Sequence, residues 1–472
     1  MSERTLAQQI AAFAASTTYE TLPADVRDSV RGRVLDILGI CYAATELETS
    51  QSVKKWVSAQ GGAPDANAVG LEERVPAPQA AFLNGVLAHS LDFDDTHLPS
   101  VLHPSASIVP AALAAAQSVG ASGAATMAAI AVGIEVTVRV GMAGYDQDAG
   151  NSSFFEHGQH ATSICGALGS AVAAGMLLGL SEEKLVDVLG VAASLSSGII
   201  ESNRTGGTVK RLHCGWAAQS GVMAAQLVHL GITGPPTVFE GRFGFFQAWL
   251  HGKFNADEIT GGLGTDWTVP GVFFKPYPAN HFTHAAIDAA LELRADGITP
   301  DQIASIEIGV AAPTLRTVGE PIEVKRAPET GYMAQFSAPF TVAASLHGGS
   351  GLGLGLHDFS DERAHDPSMR RLMEKITVVA DEECGAIFPH QFPAVLRVVT
   401  TDGRHIVKKV LTNRGGPARP LSFEELGAKF RDNAGRVVAA DRVAHIESTV
   451  ERMAELGDIS PLLVAEFPER IV

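Results

Sequence analysis

The chain has 472 residues, 46% hydrophobic and 18% charged, a composition that buries well and excludes a disordered chain. Its length exceeds what one hydrophobic core usually supports, so two domains are expected. A formal net charge of -17 with no Lys/Arg run argues against a nucleic-acid partner.

The first residues, Met1 to Gln9, hold no continuous apolar signal core, which predicts a cytoplasmic protein. Residues 23 to 43 read as an amphipathic helix, with Pro23 in its first turn and Val26, Val30, Val34, Leu38 and Cys41 on one stripe. The four cysteines, Cys41, Cys165, Cys214 and Cys384, form no CxxC pair and read as buried thiols of a reducing compartment. Gln79 to Ser90 is a second helical run. Pro104 and Pro110 punctuate entry into a helix over 111 to 117, Gly120 to Gly123 break the pattern, and Ala124 to Val140 resume it.

Ala161 to Leu180 is free of charge over the length of a membrane span. Its Ala, Gly, Ser and Thr content predicts a buried core helix instead, and no membrane partner. Ser181 caps a helix running to about Ala193, with Glu182 and Glu183 in its first turn. Gly215 to Leu230 is helical again. From about residue 269 the texture changes. Ile303 to Val310, Ile376 to Ala380 and Val395 to Thr400 are short and β-branched, and Asp402-Gly403 marks a hairpin into His405 to Leu411. Helices over 284–295 and 334–346 are interleaved. After the Asn413-Arg-Gly-Gly-Pro linker, Ser422 to Glu425 and Val437 to Leu456 are helical once more. The expected fold is therefore mainly α: an all-helical domain from 1–268 and 415–472, with an α+β insert at 269–414.

Four windows could carry chemistry. Residues 89–103 crowd Asp92, Asp94, Asp95 and Thr96 with His89, His97 and His103 between two apolar segments. The others are 157–162 (His-Gly-Gln-His-Ala-Thr), 204–213 (Arg-Thr-Gly-Gly-Thr-Val-Lys-Arg-Leu-His) and 275–284 (Lys-Pro-Tyr-Pro-Ala-Asn-His-Phe-Thr-His). Together they hold eight of the sixteen histidines. Lys210, Arg211 and Lys275 beside hydroxyls and imidazoles, in an acidic protein, suit a small carboxylate-bearing substrate. His and Asp supply groups that move protons near neutral pH.

Three other patterns compete. His157/His160 and His281/His284 have HxxH spacing, but no HExxH occurs and no Cys lies near, so no metal is expected. Asp92-Phe-Asp-Asp-Thr96 fits the DxDxT signature of metal-dependent phosphohydrolases, which requires a buried strand before it, whereas Val86 to Leu91 reads as helical. Gly348 to Gly355 lacks GxGxxG spacing and follows a helix, so it reads as a flexible loop at a helix C-terminus.

Asn84-Gly-Val-Leu-Ala-His-Ser-Leu-Asp-Phe-Asp-Asp-Thr96 with His103-Pro-Ser, Gly158-Gln-His-Ala-Thr162, Val209-Lys-Arg-Leu-His213 with Gly215 and Ala217-Ala218, and Lys275-Pro-Tyr-Pro with His281-Phe-Thr-His284 resemble the MmgE/PrpD, or 2-methylcitrate dehydratase, family. The resemblance runs in order over nearly the whole chain. It implies a large all-helical domain made from both chain ends, an inserted α+β lid, a homodimer and no cofactor. Its members include 2-methylcitrate dehydratases, cis-aconitate decarboxylases and iminodisuccinate epimerases.

Carried over by position, the resemblance implies catalytic roles for Asp92, His103, His160 and Lys210, and substrate binding by Thr96, Lys275 and His281. Lys210, Lys275 and Thr96 would pin carboxylates. His103, oriented by Asp92, would exchange a proton, with His160 as its counterpart. Gln159 departs from the aromatic common at its position, and Ala279-Asn280 from the usual small residues or Cys. The Val-Lys-Arg-Leu-His form is closer to the decarboxylase and epimerase branches. The leading expectation is elimination of water from a small di- or tricarboxylate through a carboxylate-stabilised carbanion, with decarboxylation or epimerisation as alternatives.

Overall fold

The computed structural model describes residues 4–202 and 206–463, and these are mainly α-helical. They divide into two compact units. The first comprises the residues up to Val272 and from Ala434 onward; the second is Phe273–Asn433.

In the first unit, the helix Leu212–His229 packs on Ala161–Leu177 and on Ala77–His89. Gly123–Ala143 packs on Ala161–Leu177, and Ala77–His89 on Ser105–Val119. Glycine lets two of these helices come close enough for backbone contact. A Cβ on Gly85 would lie 2.7 Å from the Cys214 carbonyl oxygen, and one on Gly215 2.5 Å from that of Phe82. This crossing fixes the spacing between the helix end that carries His89 and the helix start that carries His213.

The helix Ala161–Leu177 is buried from Ala161 through Gly175, as its small residues predict. Gly123–Ala143 also has the length and hydropathy of a membrane span, but 89% of that window is buried inside the protein. All four cysteines are free and buried. The helix expected at 111–117 begins at Ser105 and keeps Pro110 inside it. A proline so near a helix start removes one backbone hydrogen bond, and burial along both flanking turns compensates for it.

The second unit holds a four-stranded sheet in the order Ile376–Ala380, Ile303–Val310, Ala394–Thr400, His405–Val410. The first pair is parallel and the others antiparallel, with Ile308 opposite both Val378 and Leu396. The hairpin closes at Asp402-Gly403, where Gly403 takes φ 86° and Val399 pairs with His405. The helix His284–Ala295 packs on the last two strands and on Ala338–His347.

Two expectations differ here. The Gly348–Gly355 loop is pinned, because the Asp358 carboxylate accepts from the backbone N–H groups of Ser350 and Gly355, both at 2.8 Å. The second unit also extends beyond 414, taking in the helix Phe423–Ala434 up to Asn433. Lys429 ties that helix into the unit by donating to the Lys275 carbonyl at 2.8 Å.

Candidate active site

The helix Ala77–His89 hands over to a tight loop before the helix Ser105–Val119. In that loop Asp92 (φ 51°) and Val101 (φ 54°) take left-handed backbone conformations. Asp tolerates this region, whereas a β-branched Val is strained there, at about 1–3 kcal/mol. The loop is anchored by Asp95. Its carboxylate meets Arg33 of the helix Ala24–Ala44 at 2.6 Å, both side chains 1% exposed. It also accepts from the Ser105 backbone N–H at 3.2 Å and from the Ser105 hydroxyl. Arg33 donates further to the carbonyls of Val269 (3.0 Å) and Val272 (2.8 Å). Burial raises the Asp95 pKa and lowers that of Arg33, and their mutual attraction opposes both shifts.

The other two carboxylates have different partners. Asp92 lies 3.4 Å from the Lys210 ammonium, each side chain somewhat under one-third exposed. Asp94 accepts from His89 Nδ1 at 2.7 Å, with both side chains fully enclosed. The Asp95 backbone carbonyl lies 2.6 Å from Nδ1 of His103, the ring that Asp92 was expected to orient. A carbonyl only accepts, so Nδ1 carries the hydrogen and Nε2 is the reactive nitrogen of the neutral ring. Thr96 Oγ1 lies 3.3 Å from the same Nδ1, and Thr162 Oγ1 accepts from the His103 backbone N–H at 3.2 Å.

His160 stands at the start of Ala161–Leu177, its backbone N–H bonded to the Gly198 carbonyl at 3.0 Å. Its Nδ1 is 2.8 Å from His213 Nδ1. One hydrogen serves that contact, so a neutral pair offers one basic Nε2 and one Nε2–H. The His89 ring centre is 5.4 Å from that of His103 and 5.6 Å from that of His160. His157, the other half of the HxxH spacing, faces His251 at 6.0 Å. His103, His160 and the Lys210–His213 segment each lead into a long helix, so three positive helix ends flank the cluster.

Burial, then the charges of His89, Lys210, His213 and His103, push the His160 pKa well below its ordinary 6.5. Burial, with His89 and Lys210, brings His213 down to about 4. Burial and Arg33 bring His97 to about 4 as well. At neutral pH these imidazoles are uncharged bases. In the unfolded chain each titrates near 6.5, so below that pH the unfolded state binds more protons. Stability should therefore fall from about pH 6.5 downward, each group contributing up to about 1.4 kcal/mol per pH unit until its own folded pKa is reached. Urea unfolding at about pH 7.5 and 5 checks this; an unchanged midpoint contradicts it.

The first unit thus brings together Asp92, Thr96, His103, His160 and Lys210. Lys275 and His281 belong to the second unit. There Lys275 is buried, and the His281 ring packs against Phe392 (5.3 Å) and His284 (4.6 Å). Arg204 and Thr205, which open the third window, lie outside the described residues. The roles implied by resemblance omitted His89, Asp94 and His213. Their signal was proximity: Asp94 lies five positions after His89, and His213 three positions after Lys210. The phosphohydrolase alternative loses its context, because a helix and not a strand precedes Asp92.

The MmgE/PrpD N-terminal domain matches residues 8–257 and the MmgE/PrpD C-terminal domain residues 277–455. The chain is 29% identical to the cis-aconitate decarboxylase of Mus musculus over 445 residues, covering 91% of this chain and 86% of that protein. It is 26% identical to the cis-aconitate decarboxylase of Aspergillus terreus over 474 residues, covering 96% and 94%. A mitochondrial 2-methylcitrate dehydratase of Yarrowia lipolytica is 28% identical over 222 residues, covering 45% and 40%. With both domain models matched in order along its length, the chain belongs to the MmgE/PrpD family.

Proposed function

We propose that this protein decarboxylates cis-aconitate or a close unsaturated tricarboxylate. The chain is an enzyme of the lyase class. The observation that carries the finer reading is the cluster of four imidazoles, one ending a helix and three leading into helices, with the Lys210 ammonium close enough for its charge to act on His160. Decarboxylation is preferred to dehydration because the decarboxylase relatives match over nine-tenths of the chain, the dehydratase over less than half.

The chemistry follows from the groups. Lys210, with Asp92 beside it, binds one substrate carboxylate. A second carboxylate leaves as carbon dioxide when its C–C bond breaks. The electron pair moves through the adjacent double bond to the far carbon, where a carboxylate spreads it as an enediolate that Lys210 stabilises. His103, as the imidazolium whose Nδ1–H the Asp95 carbonyl accepts, gives its Nε2 proton to that carbon and is left as the neutral ring, and the product is a dicarboxylate with a terminal methylene. One proton is consumed for each carbon dioxide released. Each step uses the chain's own groups.

Incubation with cis-aconitate and, separately, with 2-methylcitrate, followed by mass spectrometry, tests the reading. Loss of carbon dioxide from cis-aconitate is expected. Loss of water from 2-methylcitrate with no reaction of cis-aconitate would overturn it in favour of dehydration.

A further inference from the structure

His89 and Asp94 have no task in the steps above, yet they form the most enclosed polar pair of the cluster. Both side chains are 0% exposed and the contact is 2.7 Å. The carboxylate can only accept, so His89 Nδ1 donates to it and Nε2 is the ring nitrogen left to exchange a proton. That Nε2 is buried and has no hydrogen-bond partner among the described residues. Such a nitrogen costs about 1–3 kcal/mol when its bond is unmade, a cost that an apolar side chain at this position would avoid. The ring is adjacent to those of both His103 and His160, at 5.4 and 5.6 Å between centres.

Resting on the decarboxylase reading, we propose that His89, held by Asp94, is a positioning residue that stores the proton consumed in each turnover and returns it to His103. After His103 Nε2–H has protonated the product carbon, its Nε2 holds a lone pair. The Nε2–H bond of the His89 imidazolium breaks, directly or through a water, and a new N–H bond forms at His103 Nε2. His89 is left neutral, its Nδ1–H still on Asp94, and solvent replaces the proton. No electrons change hands.

The surroundings favour this use. The His89 charge opposes protonation of His160 and His213, as Lys210 does. The thiols of Cys41 and Cys214 also feel the Asp94 charge, and burial keeps both protonated. Asp94 Oδ2 lies 4.0 Å from His103 Nδ1 as well. One carboxylate thus serves both rings between which the proton passes.

The test is His89→Asn, with Asp94→Asn as the second variant should the first fail to fold. In either, kcat on cis-aconitate is expected to fall about tenfold or more with KM changed less than about twofold, and the pH profile of kcat to shift. Histidine NMR titration needs no turnover: in His89→Asn the His160 midpoint should rise by about half a unit or more, since a neighbouring charge is gone. An unchanged pH profile or an unmoved His160 midpoint overturns the proposal. If the wild type leaves tricarboxylates untouched, the decarboxylase reading fails, while the titration still decides whether His89 governs its neighbours.

Discussion

His103→Ala is expected to lower kcat on cis-aconitate by about 10²- to 10⁴-fold while the far-ultraviolet spectrum and unfolding midpoint stay close to wild type. The imidazole is the group whose reactive nitrogen the backbone itself selects, since the Asp95 carbonyl at 2.6 Å takes the Nδ1 hydrogen. The fold does not depend on the ring. The loop is held through Asp95, Arg33 and Ser105, and the His103 backbone N–H rests on Thr162. Removing the ring therefore takes away the proton donor and leaves the scaffold in place. Asn at the same position should be as inactive as Ala, because an amide cannot shuttle a proton at neutral pH. Turnover within about threefold of wild type in both variants would remove His103 from the mechanism.

The largest stability effect is expected at Arg33. Arg33→Ala leaves the Asp95 carboxylate buried without its partner, and two carbonyls, of Val269 and Val272, without their donor. Breaking a buried ion pair on one side costs about 3–5 kcal/mol. The effect should reach the site, because Asp95 also holds Ser105 and carries the carbonyl that orients His103. Arg33→Ala is thus expected to lower both the denaturation midpoint and kcat. The double change Arg33→Met with Asp95→Asn should recover part of the stability, since the unpaired charge is gone while Ser105 keeps an acceptor. A loss under about 1 kcal/mol in Arg33→Ala would show that the pair is not the anchor described.

Much of this was legible in the chain. The change from Ala-rich helical periodicity to β-branched runs near 269 foretold the sheet that begins at Ile303, and Asp402-Gly403 foretold its hairpin. The crowding of Asp and His at 89–103 pointed to the site, because so many titratable groups between apolar segments need each other as partners. Which carboxylate meets which partner was not legible. That depends on the left-handed turn at Asp92, which directs successive Asp residues to Lys210, His89 and Arg33, all supplied by other elements. Pro110 misled for a related reason: local propensity forbids what a buried helix tolerates. The pairing of His160 with His213 spans 53 positions and follows only from the packing of Leu212–His229 on Ala161–Leu177.

The most direct test of the central claim is to run the wild-type enzyme on cis-aconitate in deuterated water and follow gas and product together. The account predicts one deuteron bound to carbon in the product for every molecule of carbon dioxide released. Product formed without carbon dioxide, or gas released without a carbon-bound deuteron, would contradict it.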